Sequence, residues 1–434
     1  MRGVDDTQWS GDPAAYFGSV AATHSRCFWL DGAGGRDWSG RRSLVGWLAE
    51  DDVSLTYDAA SGVVTRRCAG RSVAVGAHRS DVFGALEAEL AAGGPEDVWV
   101  GYFGYACRPD LPATAGGALP DAVWMRAREV RSFEHPGAAG ESREPVAVAG
   151  GGGPVEASTA TVPAAYSAAF DEVQERLHAG DSYEVNLTYR LERRSDLNPV
   201  SAYLRLRELN PAPYAGFLQH DVPGARAWLL SSSPERYATV TADRTLETRP
   251  IKGTAPRGRT VAEDAAQRDH LARDPKCRAE NLMIVDLMRN DLSMVCEVGS
   301  VQVPALMQVE SYASVHQLVS TVRGRLRDEV TTMGALRALF PAGSMTGAPK
   351  LRTMEVIRDL EHGPRGVYAG AFGWVRADGS ADLGVVIRSL MTCGDERWWL
   401  GTGGGITVRS RAAEEHAESV WKADRLLRVL SPLG

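Results

Sequence analysis

Lys252 stands between a run of strand-favouring residues, Thr245–Ile251, and a glycine, with Arg249 and Arg257 close by in sequence. A lysine in such company can have its pKa lowered enough to act as a nucleophile, although most lysines are solvated surface charges. Glu235, in Ser233-Pro234-Glu235-Arg236, reads either as an arginine's ion-pair partner or as an acid. Farther on, Asp274-Pro275 opens a helix, with Asp274 as N-cap and Pro275 in the first turn. Leu282, Val285 and Met288 mark its core stripe, which leaves Glu280 near the buried side. The last helix carries Glu415 and Glu418 three residues apart, with Lys422 one turn later. Glu280, Glu415 and Glu418 together can supply the few carboxylates that Mg²⁺ needs, water and a substrate anion completing the octahedron. The same spacing is equally that of a solvated charge pattern.

Two glycine-rich stretches accompany these residues. Gly401-Thr402-Gly403-Gly404-Gly405-Ile406 is expected to end a strand and to form either an anion-approaching loop or a sharp turn. Gly343–Lys350 leads into a helix N-terminus, a favourable place for anions. It lacks the Gly-Lys-Ser/Thr spacing of a Walker loop, which argues against a nucleoside triphosphate.

The elements that must position these groups are legible in outline. Tyr166, Phe170, Val173 and Leu177 recur at helical spacing before Gly180, after which the period switches to two. The strand around Ser182–Leu191 thus turns Glu184, Asn186 and Thr188 to one face. Further strands are expected near Trp228–Ser231, Thr245–Ile251, Val315–Leu326, Gly366–Arg376, Leu383–Thr392 and Arg397–Gly401. Helices are expected near Val261–Arg273, Pro275–Asp291, Thr332–Leu339, Pro349–Glu361 and Ala412–Leu430. Long strands in groups, without strict alternation with helices, indicate an α+β fold. A Gly/Ala/Pro-rich span, 137–163, reads as a linker between an N-terminal region, 1–136, and a C-terminal domain, 164–434. The N-terminal region shows short apolar runs such as Cys27–Leu30, Val98–Tyr105 and Ala122–Met125, and one helix near Ser80–Ala92.

Of 434 residues, 48 are Lys or Arg and 55 Asp or Glu, a formal charge of −7 without basic blocks. That balance argues against a nucleic-acid partner. The six cysteines are scattered with no CxxC pair, which argues against zinc clusters and a disulfide framework and for reduced thiols in the cytoplasm. No apolar run reaches membrane-spanning length, and the first residues lack a signal peptide's apolar stretch.

A resemblance emerges from motifs in order: Ser231–Arg236, Pro250-Ile251-Lys252-Gly253-Thr254, Ala279-Glu280-Asn281 with Val285-Asp286-Leu287, Val315-His316, Gly343–Lys350, Tyr368–Ala371, Gly403–Ile406 and Glu415/Glu418/Lys422. This set resembles the chorismate-utilising enzymes. Phe28–Asp31 and Gly101–Tyr105 are similar to that family's less specific first portion. The resemblance implies two mainly antiparallel sheets packed as a sandwich with helices outside, like anthranilate synthase component I, and N-terminal strands in the same sheets. Lysine in Pro-Ile-x-Gly-Thr resembles the aminodeoxychorismate synthase branch. The anthranilate synthase branch has alanine there and is the close rival; a non-catalytic regulatory homologue is the distant one. Isochorismate and salicylate synthases carry a water-activating lysine at the position of Glu184, and a glutamate suits that role poorly.

The resemblance further implies that Mg²⁺ is held by Glu280 and Glu418, with Glu415 nearby, and that Lys252 attacks C2 of chorismate while Glu235 protonates the departing C4 hydroxyl. Ammonia then adds at C4, giving 4-amino-4-deoxychorismate for p-aminobenzoate, folate or specialised products. Arg388 and Tyr368 correspond to a clamp on the enolpyruvyl carboxylate. Lys422 and the Gly404–Gly405 backbone fall beside the ring carboxylate. Thr254 and Glu184 line the substrate, and His316 falls near C4. Cys277, where the family often has an acid, and Arg409, in a loop that is often acidic, predict weaker Mg²⁺ binding. Ala212 and Ala215 depart from the tryptophan-feedback pattern around Asn210–Tyr214, so such inhibition is not expected. None of the cysteines sits in a glutaminase elbow, so ammonia is expected from a separate glutaminase subunit.

Overall fold

In the computed structural model, which describes residues 12–32, 42–75, 81–135, 162–312 and 315–431, the β-favouring runs pair into two antiparallel sheets. The first has nine strands, in the order Gly347–Ala348, Glu184–Arg194, Arg397–Ile406, Ser389–Thr392, Ala227–Ser233, Tyr214–His220, Arg26–Asp31, Arg42–Trp47 and Glu129–Glu134. The second has twelve. Its path runs Ile251–Pro256, Val315–Arg325, Thr245–Arg249, Arg236–Val240, Ala381–Val385, Ala371–Arg376, Val98–Phe103, Ala122–Ala127, Ser54–Asp58, Val63–Cys68 and Arg71–Val75, with Gln302–Ser311 also paired to Val315–Arg325. The expected α+β architecture is the observed one.

Residues from both sheets share the largest apolar core, with Phe28, Leu218 and Leu229 from the first and Trp99, Phe103 and Trp124 from the second. The sheets approach so closely that a Cβ on Gly216 would lie 2.7 Å from the Phe372 ring. The outer face of the first sheet is covered by the helices Pro13–Thr23, Pro199–Leu209 and Ala412–Val429, through Phe17, Tyr203 and Leu426. Strands from before and after the 137–163 span lie in both sheets, so the two regions share their hydrogen-bond ladders and core. The span itself falls almost entirely outside the described residues. Trp124 is fully buried, and truncating such a ring to alanine costs about 3–5 kcal/mol.

Two breaks in the expected strands and one continuation matter for the site. Leu383–Thr392 is two strands, Ala381–Val385 in the twelve-stranded sheet and Ser389–Thr392 in the nine-stranded one. The chain crosses between sheets at Val386–Arg388, where Arg388 takes a φ of 51°. Thr245–Ile251 likewise divides into Thr245–Arg249 and Ile251–Pro256, which both pair with Val315–Arg325. Conversely, the glycine run continues a strand: Arg397–Ile406 is unbroken, with Gly403, Gly404 and Gly405 opposite Thr188, Leu187 and Asn186.

Candidate active site

Where the sheets splay, strand ends and two helices enclose a polar cleft of about 140 Å³. The helix Pro275–Ser293 brings Glu280. It starts as its sequence predicts, with the Asp274 side chain accepting from Cys277 N at 2.7 Å. Its buried stripe differs from the expected one: Leu282 is exposed, and Asn281, Ile284, Val285 and Met288 face inward. Asn281 donates to Leu318 O at 3.2 Å and accepts from Ser320 Oγ at 2.5 Å. Those bonds lock the helix onto Val315–Arg325 and fix Glu280 at the cleft wall.

Lys252 lies on Ile251–Pro256 with its Nζ donating to the Glu184 carboxylate. Glu184 is almost wholly buried, and its second oxygen has no hydrogen-bond partner. Burial acts to lower the Lys252 pKa, but the carboxylates of Glu184, Glu280 and Glu235 outweigh it and the net shift is upward. The sequence expectation of a lowered pKa is therefore overturned. Arg249 and Arg257, which suggested it, are bonded elsewhere, to Glu310 and to Asp264. Gly405 makes room for the pair, since a Cβ there would lie 2.0 Å from Glu184 Oε1 and 3.1 Å from Lys252 Nζ.

Glu235 is buried beside the same cleft, and desolvation pushes its carboxyl up to about 7, against the opposing pull of Ser344 and Lys252. A carboxyl there keeps about half its population protonated at neutrality and can give a proton. Ser344, from the short helical turn Gly343–Met345, was not singled out by sequence.

The three remaining carboxylates meet lysines. Glu415 is buried and accepts from Lys276 Nζ at 2.6 Å and Ser410 Oγ at 2.6 Å. Glu418, half exposed at the cleft rim, pairs with Lys422 at 2.9 Å, which brings its pKa down to about 2. Glu280 is pushed up to about 7, first by desolvation and then by Glu184 and Glu415 against the pull of Lys252 and Lys276; its Oε1 is buried without a hydrogen bond, 3.9 Å from Lys276 Nζ. Among the described residues no group of three or more His, Cys, Asp or Glu is placed to hold a metal ion, so Glu280, Glu415 and Glu418 line one cleft without converging as a three-carboxylate site. Mg²⁺ does not need one, because one or two carboxylates with water and a substrate anion suffice. The Glu280 oxygen left without a hydrogen bond, with Glu415 and Glu418 lining the same cleft, fits such an open site. Cys277 does not point its thiol into this group; a Cβ on Gly253 would lie 2.9 Å from its Sγ.

Arg388 reaches the cleft from the sheet crossing. Its guanidinium sits over Trp421, 5.5 Å from the ring centroid, and has no hydrogen-bond or ion-pair partner among the described residues. Burial, with Arg425 nearby, lowers its pKa to about 10. A desolvated cation without a counter-ion favours an anionic ligand. Tyr368 lines the same cleft, its ring packed where a Cβ on Gly401 would otherwise sit. Thr254, Gly404 and Lys422 line it too, with Lys422 Nζ also donating to Gly403 O at 3.0 Å.

Glu184, expected to line the substrate, does not line the cleft and meets it only through Lys252, and His316 is the full exception. It is held away from the cleft lining, Nε2 to Asp264 at 3.0 Å and Nδ1 to Ser311 at 2.8 Å, while its neighbour Gln317 faces the cleft. Strand alternation makes the choice, since successive side chains point to opposite faces. Lys276 and Arg425 were also missed; each stands within a turn of a residue that was named, but neither completes a motif.

A sequence profile described as chorismate binding enzyme matches residues 25–428. The chain is 39% identical to an aminodeoxychorismate synthase of Streptomyces pristinaespiralis, over 96% of this chain and 64% of that protein. It is 43% identical to aminodeoxychorismate synthase component 1 of Escherichia coli, over 61% of this chain and 57% of that protein. It thus spans less than two thirds of the length of these curated relatives. Among solved structures, anthranilate synthase component I of Streptococcus pneumoniae superposes with a TM-score of 0.71 at 26% identity, covering 89% of this chain and 92% of that one.

Proposed function

The chain belongs to the chorismate binding enzymes, and on that premise we propose that it is the chorismate-aminating part of an aminodeoxychorismate synthase, forming 4-amino-4-deoxychorismate from chorismate and ammonia. The observation that carries this reading is Lys252, a nucleophile-capable amine in the cleft wall facing the acid Glu235. Arg388, unpartnered, holds the enolpyruvyl carboxylate, with Tyr368 beside it. Lys252 attacks C2 while Glu235 delivers its proton to the C4 hydroxyl, which leaves as water. Ammonia then adds at C4, Lys252 is expelled from C2, and the new ammonium returns a proton to Glu235. Covalent capture splits one hard displacement into two allylic ones.

Mg²⁺, when bound by Glu280 and Glu418 with Glu415 nearby, withdraws electron density through the ring carboxylate. Lys422 supports the same carboxylate. Relatives named component 1 support a separate partner, which we take to be a glutaminase supplying ammonia. Among the described residues no helix is long and apolar enough to cross a membrane. All six cysteines are free, which favours a reducing compartment such as the cytoplasm.

The test is incubation with chorismate, Mg²⁺ and ammonium, with product identification by NMR and mass spectrometry. The expected product is 4-amino-4-deoxychorismate, lost on chelation. Anthranilate would overturn the reading, and absence of turnover even with glutaminase partners would favour a regulatory protein.

A further inference from the structure

The raised Lys252 pKa poses a problem that the cleft itself answers. A nucleophilic amine must shed a proton, yet Lys252 rests as an ammonium among carboxylates. We propose that Glu184 is the base that takes this proton, holds it while Lys252 is bonded to the substrate, and returns it when Lys252 leaves. The inference rests on the reading of Lys252 as nucleophile.

Three observations carry it. Lys252 Nζ is hydrogen-bonded to Glu184 Oε1, so the transfer needs no water and no side-chain movement. The Glu184 side chain has no other hydrogen-bond donor among the described residues, and its Oε2 is buried without a partner. With no other donor to oppose protonation, this carboxyl can hold the proton that Lys252 gives up. Finally, a glycine at 405 keeps the space beside the pair clear, where any Cβ would collide with Glu184 Oε1 and crowd Lys252 Nζ. Glu280 and Glu235 act on Lys252 as charges, but neither is bonded to its Nζ.

The proton count closes. Transfer from the ammonium to Glu184 leaves a neutral amine and a neutral acid. The amine forms the N–C2 bond and becomes a secondary ammonium as the C4–O bond breaks, with Glu235 giving the proton that makes water. When ammonia forms the C4–N bond and the C2–N bond breaks, Lys252 departs as a neutral amine. Glu184 then reprotonates it, and the ammonium at C4 reprotonates Glu235. No oxidant or further reactant is needed. Displacing water from the cleft on substrate binding weakens the support for an ion pair and favours the neutral one.

The test follows the covalent step alone: the chain with chorismate and Mg²⁺ but no ammonia, quenched at intervals, the mass gain of chorismate less one water being read on the intact protein. E184Q should form the adduct at least about 100-fold more slowly than wild type, with chorismate affinity within about threefold. E184A should be equally slow and be accelerated by added formate, a small external base; E184D should recover part of the rate. A merely structural Glu184 would give no formate rescue. An E184Q rate within about threefold of wild type, or a chorismate-binding E184A indifferent to formate, would overturn the proposal. A wild-type protein that aminates chorismate without any adduct would instead overturn the nucleophile reading, and this inference with it.

Discussion

Two cavities adjoin in this molecule and share Tyr368 and Gly401 as a common wall. The larger, about 370 Å³, is mostly apolar, faced by Tyr166, Tyr189, Leu360 and Trp399. Its buried charged groups are satisfied: Arg365 bonds Glu361, Met345 O and Asn186 O, and Glu361 accepts from Thr188 N at 2.9 Å. The smaller, about 140 Å³, holds an unpartnered guanidinium, a carboxylate oxygen without a hydrogen bond and two carboxyls pushed up to about 7. Size alone would select the wrong one. Charge left unsatisfied by the protein marks where a charged substrate and a cation complete the structure.

Changes in the two cavities should therefore have very different effects. The largest is expected for E235Q, which removes the proton donor and should slow adduct formation by roughly 10²–10⁴-fold. Because the acid form of Glu235 is the active one, the wild-type rate should fall by about tenfold per pH unit above about 7. The same shift sets a stability trend. A carboxyl raised in the folded state contributes stability below its unfolded pKa and loses it as pH rises through about 7. E235Q should thus gain Tm relative to wild type at alkaline pH but not under acid conditions; a pH-independent difference would contradict the buried-acid assignment.

R388M should act on binding, raising KM for chorismate by roughly 10–100-fold through loss of a charged hydrogen bond, with a smaller effect on kcat. An unchanged KM would remove Arg388 from the substrate site. G405A should cost about tenfold in adduct rate by displacing the Glu184–Lys252 pair while leaving the strand ladder intact. The smallest effect is expected for A169L, which fills part of the apolar cavity. It should leave turnover within about twofold and change stability by at most about 0.5–2 kcal/mol, as cavity filling does. A loss comparable to that of R388M would make the larger cavity part of the catalytic machinery.

Much of the cleft was legible because its residues sit in distinctive local motifs. Lys252 between strand and glycine, Glu280 on a capped helix, and Glu415 and Glu418 on one helical face all reach the same cleft. What sequence could not reveal is which partners meet across elements. Lys252 was expected to be tuned by nearby arginines, whereas the packing of one sheet against the other brings it to Glu184, 68 positions earlier on a strand of the other sheet. His316 and Gln317 were separable only by knowing which strand face looks into the cleft. The glycine run looked like a loop because its role, clearing space for side chains of other elements, leaves no mark but the missing Cβ. Arg388 sits where one apparent strand divides between two sheets, a break that its continuous apolar pattern conceals. In the fold, the strands from Tyr214, Arg236 and Gln302 were overlooked for the same reason: packing, not a strong alternation, decides them.

Peptide-mapped mass spectrometry of the chain after brief incubation with chorismate and Mg²⁺, without ammonia, tests the central claim most directly. The predicted result is a single modification, chorismate less one water, on the peptide containing Lys252 and absent from K252A. Amination at C4 undiminished in K252A, with no modified Lys252 in the wild type, would contradict it.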